Sequence, residues 1–222
     1  MRLIVTIFTI VFVLTNKSFS QNFQKIDTIE IDTISNLKRF SFGIKMGIPN
    51  ILGLTTEAIL PIFKNRMSPY FDYSSFKLNP DTTSIDLNYT DYGINIYVNS
   101  KGNGLYASLG SGTLSSLIFF EKIELTDDNG NKGIGTARLK ENINTYNIKF
   151  GIKSNSKIFF RLEVGYGIGK IPNNLNLTGS FAYEKDGISY FSNGSSSESF
   201  PTIPGIGKKA IIMGNFGFGI SL

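Results

Sequence analysis

The chain has 222 residues, of which 18% are charged, and a mean hydropathy of +0.01; it fits one domain and excludes a helical membrane protein or a disordered tail. It holds no cysteine and no histidine, which excludes disulfides, thiol chemistry, His-based triads, and Cys or His metal sites. The formal net charge of +5 comes from scattered residues, with Lys38-Arg39 and Lys208-Lys209 the only basic pairs, so no nucleic-acid stripe is present.

The N-terminus reads "MRLIVTIFTIVFVLTNKSFSQN". Arg2 precedes an apolar run from Leu3 to Leu14, and Ser18-Phe19-Ser20 supplies small residues before a cut. This is the form of a secretory signal peptide, with cleavage expected after Ser20. This run of 12 residues is too short for a membrane helix, which needs about 20. Without cysteine, no lipid is attached at the new N-terminus. Residues 21–37, "QNFQKIDTIEIDTISNL", read as a polar periplasmic leader.

From residue 39 onward the chain alternates. "RFSFGIKMGIP" places Phe40, Phe42, Ile44, Met46 and Ile48 on one face, with Ser41, Gly43, Lys45 and Gly47 on the other. Leu52, Leu54, Thr56 and Ala58 alternate with Gly53, Thr55 and Glu57. In "MSPYFDYSSFKL", Asp72 and Ser74 oppose Phe71 and Tyr73. "SIDLNYTDYGINIYV" carries Ile85, Leu87 and Tyr89, then Tyr92, Ile94, Ile96 and Val98; the change of phase at Thr90-Asp91 predicts a bulge. The fifth and sixth strands begin and end on Leu105, Ala107, Leu109 and on Tyr146, Ile148, Phe150, Ile152. Their alternation runs on through Glu121–Leu125 and Ile134–Leu139, which predicts a projecting hairpin. "KIFFRLEVGYGIGK" puts Ile158, Phe160, Leu162, Val164, Tyr166 and Ile168 opposite Arg161 and Glu163. The last strand has Ile212, Phe216, Phe218, Ile220 and Leu222 opposite Met213, Asn215, Gly217 and Gly219. That makes eight strands, most of them reaching the roughly 9–11 residues that a membrane strand needs.

The second faces hold Lys45, Glu57, Asp72, Asn95, Lys149, Lys153, Arg161, Glu163 and Asn215 among many glycines. Glycine on a water-exposed strand face only weakens the strand. In the narrow lumen of an eight-stranded barrel, small residues and a few paired charges fit the space. The expected fold is therefore all-β: a closed, antiparallel up-and-down transmembrane barrel over residues 38–222. Lys45, Glu57, Asp72, Lys149, Lys153, Arg161 and Glu163 are expected to form a salt-bridged lumen network that plugs it. Short turns at Lys64–Arg66, Asn99–Gly104 and Asn155-Ser156 share the end with both termini. Longer connections, including 171–208, lie at the other end, the bacterial outer-membrane pattern. Residues 175–184 are a candidate outward extension of the seventh strand.

No motif declares a reaction. "GNGLYA" and "GYGIG" open no helix, so they present no helix N-terminal amides to a phosphate. "TDDNGNKG" lacks the bidentate Glu of a calcium loop and reads as a hairpin turn at Asn129-Gly130. "SNGSSSESFPTIPGIG" reads as a mobile loop.

The ending "NFGFGISL" resembles the C-terminal signal read by the outer-membrane assembly machinery, through Asn215, Gly217, Ile220 and Leu222. Leu222 stands where that pattern favours an aromatic. "GIKMGIPNILGLTTEAILP", "GLYASLGSGTLS" and "FFRLEVGYGIGKIP" extend a resemblance to small eight-stranded outer-membrane β-barrel proteins of the Bacteroidota type. The resemblance implies the outer membrane of a Gram-negative bacterium, outer-membrane lipid as surroundings, and the assembly machinery as a partner during biogenesis. It transfers no catalytic residue, and the lipases, deacylases and proteases among such barrels rely on histidine. The expected function is non-enzymatic: an envelope-structural or surface-interaction role, with no cofactor and no metal, and with loops for any surface partner. The alternatives are a narrow pore for small solutes and a soluble lipocalin-like periplasmic carrier of an apolar ligand. Intact-mass measurement of the exported protein should give a chain beginning at Gln21; a mass that still includes residues 1–20 would refute the cleavage site.

Overall fold

The computed structural model describes residues 37–199 and 209–222, without the side chains of 198 and 199. The expected signal peptide and all of the leader except Leu37 lie outside the described residues. The described chain is almost entirely strand: β1 (Phe40–Ile48), β2 (Ile51–Ala58), β3 (Met67–Leu78), β4 (Thr83–Tyr97), β5 (Gly104–Thr126), β6 (Lys132–Lys153), β7 (Ile158–Gly169), β8 (Asn174–Lys185), β9 (Ile188–Ser199) and β10 (Ala210–Ser221).

All pairings are antiparallel, and the strands close into a barrel in the order β1-β10-β7-β6-β8-β9-β5-β4-β3-β2. The expected count of eight is corrected to ten. The two added strands, β8 and β9, come from the stretch 171–208 that reads as a long connection, and the supposed mobile loop supplies Ser192–Ser199 to β9. The rest of that loop, 200–207, lies outside the described residues. A direct β5–β6 ladder crosses the ring. It divides the closed circle into two: one of eight strands (β1–β7 and β10), and a smaller one of β5, β6, β8 and β9.

The smaller circle exists because β5 and β6 are long. At 23 and 22 residues they are about twice the length of a membrane-crossing strand. β7 occupies one edge of β6 from Lys153 to Thr145. Past that point the edge is taken by β8, with Arg138 opposite Thr178 and Gly135 opposite Phe181. Residues 175–184 are thus a strand of their own on the edge that β7 vacates. β9 folds back on β8 and touches β5 at Thr126↔Ser195.

Alternation sorts the side chains of the eight-strand ring. Phe42, Ile44, Leu54, Phe71, Ile96, Leu105, Phe150, Phe160, Leu162 and Phe218 face outward and are exposed. This parity, with charges inside, is the reverse of a lipocalin-like carrier. Ile158 to Ile168 on β7 gives an apolar band about 25 Å tall at the usual strand tilt.

The bulge expected at Thr90-Asp91 is absent: β4 pairs continuously with β3 and with β5 through that point. The register shift falls instead between Phe120 and Ile123 on β5. Ile85, Leu87 and Tyr89 are in phase with the buried Asp91 and Asn95, so the polarity of the inward face changes along β4 rather than its register.

The β5–β6 turn is also one residue off the expectation. Its hydrogen bond runs from Gly130 N to Asp127 O, so Asp128-Asn129 are central, and Gly130 follows with φ 81°. Asp127 accepts from Asn131 Nδ2 at 2.9 Å, from the Asn131 and Asn129 amides at 2.8 and 3.0 Å, and from Ser192 Oγ at 3.0 Å. Chiefly the Asn131 side-chain bond, aided by the others, holds its carboxyl below the ordinary carboxylate value.

The eight-strand ring owes none of its ladders to β8 and β9. Replacing Asn174–Ser199 with a short turn should leave a barrel that still migrates faster when unboiled on an SDS gel; loss of that shift would make the hairpin part of the ring's stability.

Candidate functional site

The inward faces of the eight-strand ring carry a cluster of buried charges. Eight ionisable acid and base side chains are buried among the described residues: Lys45, Lys149, Lys153 and Arg161, against Glu57, Asp72, Asp91 and Glu163. Every one of the seven charges expected in the lumen is here. The eighth, Asp91, escapes the sequence reading because the supposed bulge removes it from the inward set. Four bases against three acids already called for another acid, and counting back by twos from Tyr97 and Asn95 reaches it.

The network bonds across the ring, not only along it. Near the end with the chain's C-terminus, Glu57 on β2 accepts from Arg161 on β7, from Lys153 on β6 at 3.0 Å, from Asn95 at 3.1 Å and from Tyr97 OH at 2.6 Å. Lys153 also donates to Ser41 Oγ at 2.8 Å. In the middle, Glu163 accepts from Lys45 at 2.7 Å and from Tyr106 OH at 2.6 Å. Lys45 bonds Asp72 with its other donors. Lys149 bonds Asp91 at 2.8 Å and stands 3.7 Å from Asp72 and 3.8 Å from Glu163. Tyr70 OH and Asn147 Nδ2 complete Asp91 at 3.1 and 2.9 Å.

Tyrosine rings line the cations. Lys149 lies 4.2 Å from the Tyr70 ring centroid, and Arg161 lies 5.5 Å from those of Tyr106 and Phe159. These aromatic walls are a second group that strand parity contains but that a search for charges passes over. Beyond the charges, the lumen turns apolar at Ile143, Ile171 and Ile211.

Each buried ion alone would cost several kcal/mol, so the arrangement persists only because every charge has a partner of opposite sign. It offers no metal site: no group of three or more Asp, Glu, His or Cys side chains is placed to hold an ion among the described residues.

Three residues of the C-terminal pattern, Asn215, Gly217 and Ile220, lie on the closing strand, and Leu222 follows it directly. β10 pairs with β1 on one side and β7 on the other. Asn215 faces inward and its Oδ1 accepts from Asn50 Nδ2 at 3.1 Å. Gly217 stands opposite Arg161 in the β7 ladder, Ile220 and Leu222 face outward, and Leu222 exchanges backbone bonds with Phe40 at 2.7 and 3.1 Å.

No family model matches the chain, and no curated protein matches it. Among solved structures, CarO of Acinetobacter baumannii is similar over 82% of this chain and 97% of its own, at 12% identity and a TM-score of 0.43. CarO2 of the same organism is similar over 83% and 98%, at the same identity and score. The Bacteroidota-type resemblance has no family match behind it.

Removing one partner strands the others. Glu57→Gln leaves Lys153 without a carboxylate and Arg161 with only Glu163, 3.9 Å away, and should cost about 3–5 kcal/mol of barrel stability, read by urea unfolding in detergent. A change under about 1 kcal/mol would mean the network is hydrated and its charges are not truly buried.

Proposed function

We propose that the chain is an integral barrel of the outer membrane of a Gram-negative bacterium, non-enzymatic, with its lumen plugged by its own ion pairs and an envelope-structural or surface-interaction role. The observation that carries this reading is a polarity inversion at one level of the barrel. Tyr92, Ser111 and Tyr146 lie in one register row on β4, β5 and β6, and Thr90, Thr113 and Asn144 lie in the next outward row. Below that level, the outward faces are Ile96, Ile94, Ile148 and Phe150, and the inward faces are Asn95, Asp91, Asn147 and Lys149. Above it, the outward faces become Asn88, Asp86, Asn142 and Lys140, and the inward faces become Leu87, Ile85, Ile143 and Leu139.

A single solvent does not call for that exchange. Lipid outside the band and water beyond it do. Tyr73, Tyr92, Tyr146 and Tyr166 then sit near the boundary as an aromatic girdle. The end bearing β8 and β9 faces the medium, and the opposite end, with its short turns, faces the periplasm. Asn215, Gly217, Ile220 and Leu222 serve as the assembly signal for the machinery that inserts the barrel, and the surrounding lipid is its constant partner.

The direct test is cell fractionation with boiled and unboiled SDS gels, followed by planar-bilayer conductance. Outer-membrane recovery, a mobility shift on boiling and negligible conductance are the expected results. Recovery as a soluble protein without a shift would overturn the membrane reading; a steady conductance would replace the plug with a narrow pore.

A further inference from the structure

The part of the barrel beyond the apolar band carries a cleft of about 660 Å³, within the roughly 300–1,000 Å³ typical of small-molecule sites. It lies on the outward face of β6, β8 and β9, opposite the apolar core of Leu125, Ala137, Leu139, Leu177 and Phe181. Two register rows build it. One is Thr136, Ser180 and Asn193; the other is Phe119, Arg138, Thr178 and Ser195. Alternation points the side chains of both rows to the same face.

Between the rows the lining is Gly179 and Gly194, paired across β8 and β9. A Cβ on Gly179 would fall 1.9 Å from the Thr136 carbonyl, and one on Gly194 would fall 2.7 Å from the Phe181 ring. The Phe181 ring of the apolar core therefore presses against the backbone at Gly194, and the β6 backbone closes on Gly179.

The chemistry of the lining is selective. It offers three kinds of neutral polar group (Thr and Ser hydroxyls and the Asn193 amide), one cation and one anion, Arg138 and Asp128. The two charges cancel, so a polyanion gains no net attraction. Among the described residues the only large apolar lining group is Phe119, with the Arg138 guanidinium 5.8 Å from its ring centroid, which is too little to hold an acyl chain. A ligand that matches must be neutral, densely supplied with donors and acceptors, and possess a C–H face for one aromatic ring.

We propose that this cleft binds a neutral saccharide. Arg138 and Asn193 donate to sugar oxygens, Asp128 accepts from sugar hydroxyls, and the hydroxyl rows do both. The site lies outside the lumen network and does not require the ring to sit in a membrane.

The test is a glycan array probed with the labelled full-length mature protein, folded in a detergent without a sugar headgroup. The array carries neutral, sialylated and sulfated glycans. Binding to neutral glycans is expected, and Arg138→Ala and Asn193→Ala should each weaken it by about tenfold, the loss of one charge-assisted or well-placed hydrogen bond. Both variants should keep the boiling-dependent gel shift, which separates a lost site from a lost fold. No binding to any neutral glycan, binding confined to sulfated or sialylated members, or full binding by both folded variants would each overturn the proposal.

Discussion

The constraint on which the rest depends is that four buried cations and four buried anions share one narrow lumen. Long side chains must cross it to meet, and they come close to the backbone of facing strands. Glycine supplies the space. A Cβ on Gly151 would fall 2.5 Å from the Tyr106 ring, on Gly110 2.2 Å from Tyr70 OH, on Gly112 2.6 Å from Tyr89 OH, and on Gly165 2.9 Å from Lys149 Cγ. These four glycines and the long buried side chains they face are thus two aspects of one packing solution. Each glycine weakens its strand, and the cross-ring bonds offset that cost.

The two circles of strands solve opposite problems with the same polypeptide. In the eight-strand ring the apolar side chains are outside and the charges are within. In the smaller circle, Leu125, Ala137, Leu139, Leu177 and Phe181 make an ordinary apolar core, with polar groups outside. β6 takes part in both without losing its two-residue period: its odd-numbered residues face inward from Lys153 and Lys149, through Ile143, to Leu139 and Ala137. On the membrane reading, what changes along the strand is the solvent on each side, and the sequence follows that change row by row.

This explains what could be read from the sequence and what could not. Period-two alternation made the strands of the large ring visible, and glycine beside charge identified the inner face. The same alternation misled at Thr90-Asp91. Ile85, Leu87 and Tyr89 followed by Tyr92, Ile94 and Ile96 has one pattern whether the strand bulges or its surroundings invert. Only pairing with β3 and β5 distinguishes the two, and that information is not local. β9 was hidden for a different reason. Its "ISYFSNGSSSES" is serine-rich, with weak alternation beyond Phe191, and it becomes a strand through its ladder with β8.

The charges also do something that an apolar filling could not. A buried ion network is seldom more stable than well-packed hydrophobic residues of the same volume. Its advantage here is register. A strand apolar on both faces can slip by one residue at little cost, whereas a slip in β6 or β7 would turn Lys149, Lys153 and Arg161 outward. On the membrane reading, each would then face lipid at a cost of about 2–4 kcal/mol near the midplane. Inward, the same groups meet partners supplied by β2, β3 and β4 that are aligned only when neighbouring ladders are also in register. Lys45 makes the point most directly, because it joins Asp72 on β3 to Glu163 on β7 and so requires the seam at β10 to be closed correctly. The network therefore ties the registers of β1, β2, β3, β4, β6 and β7 to one another across the ring.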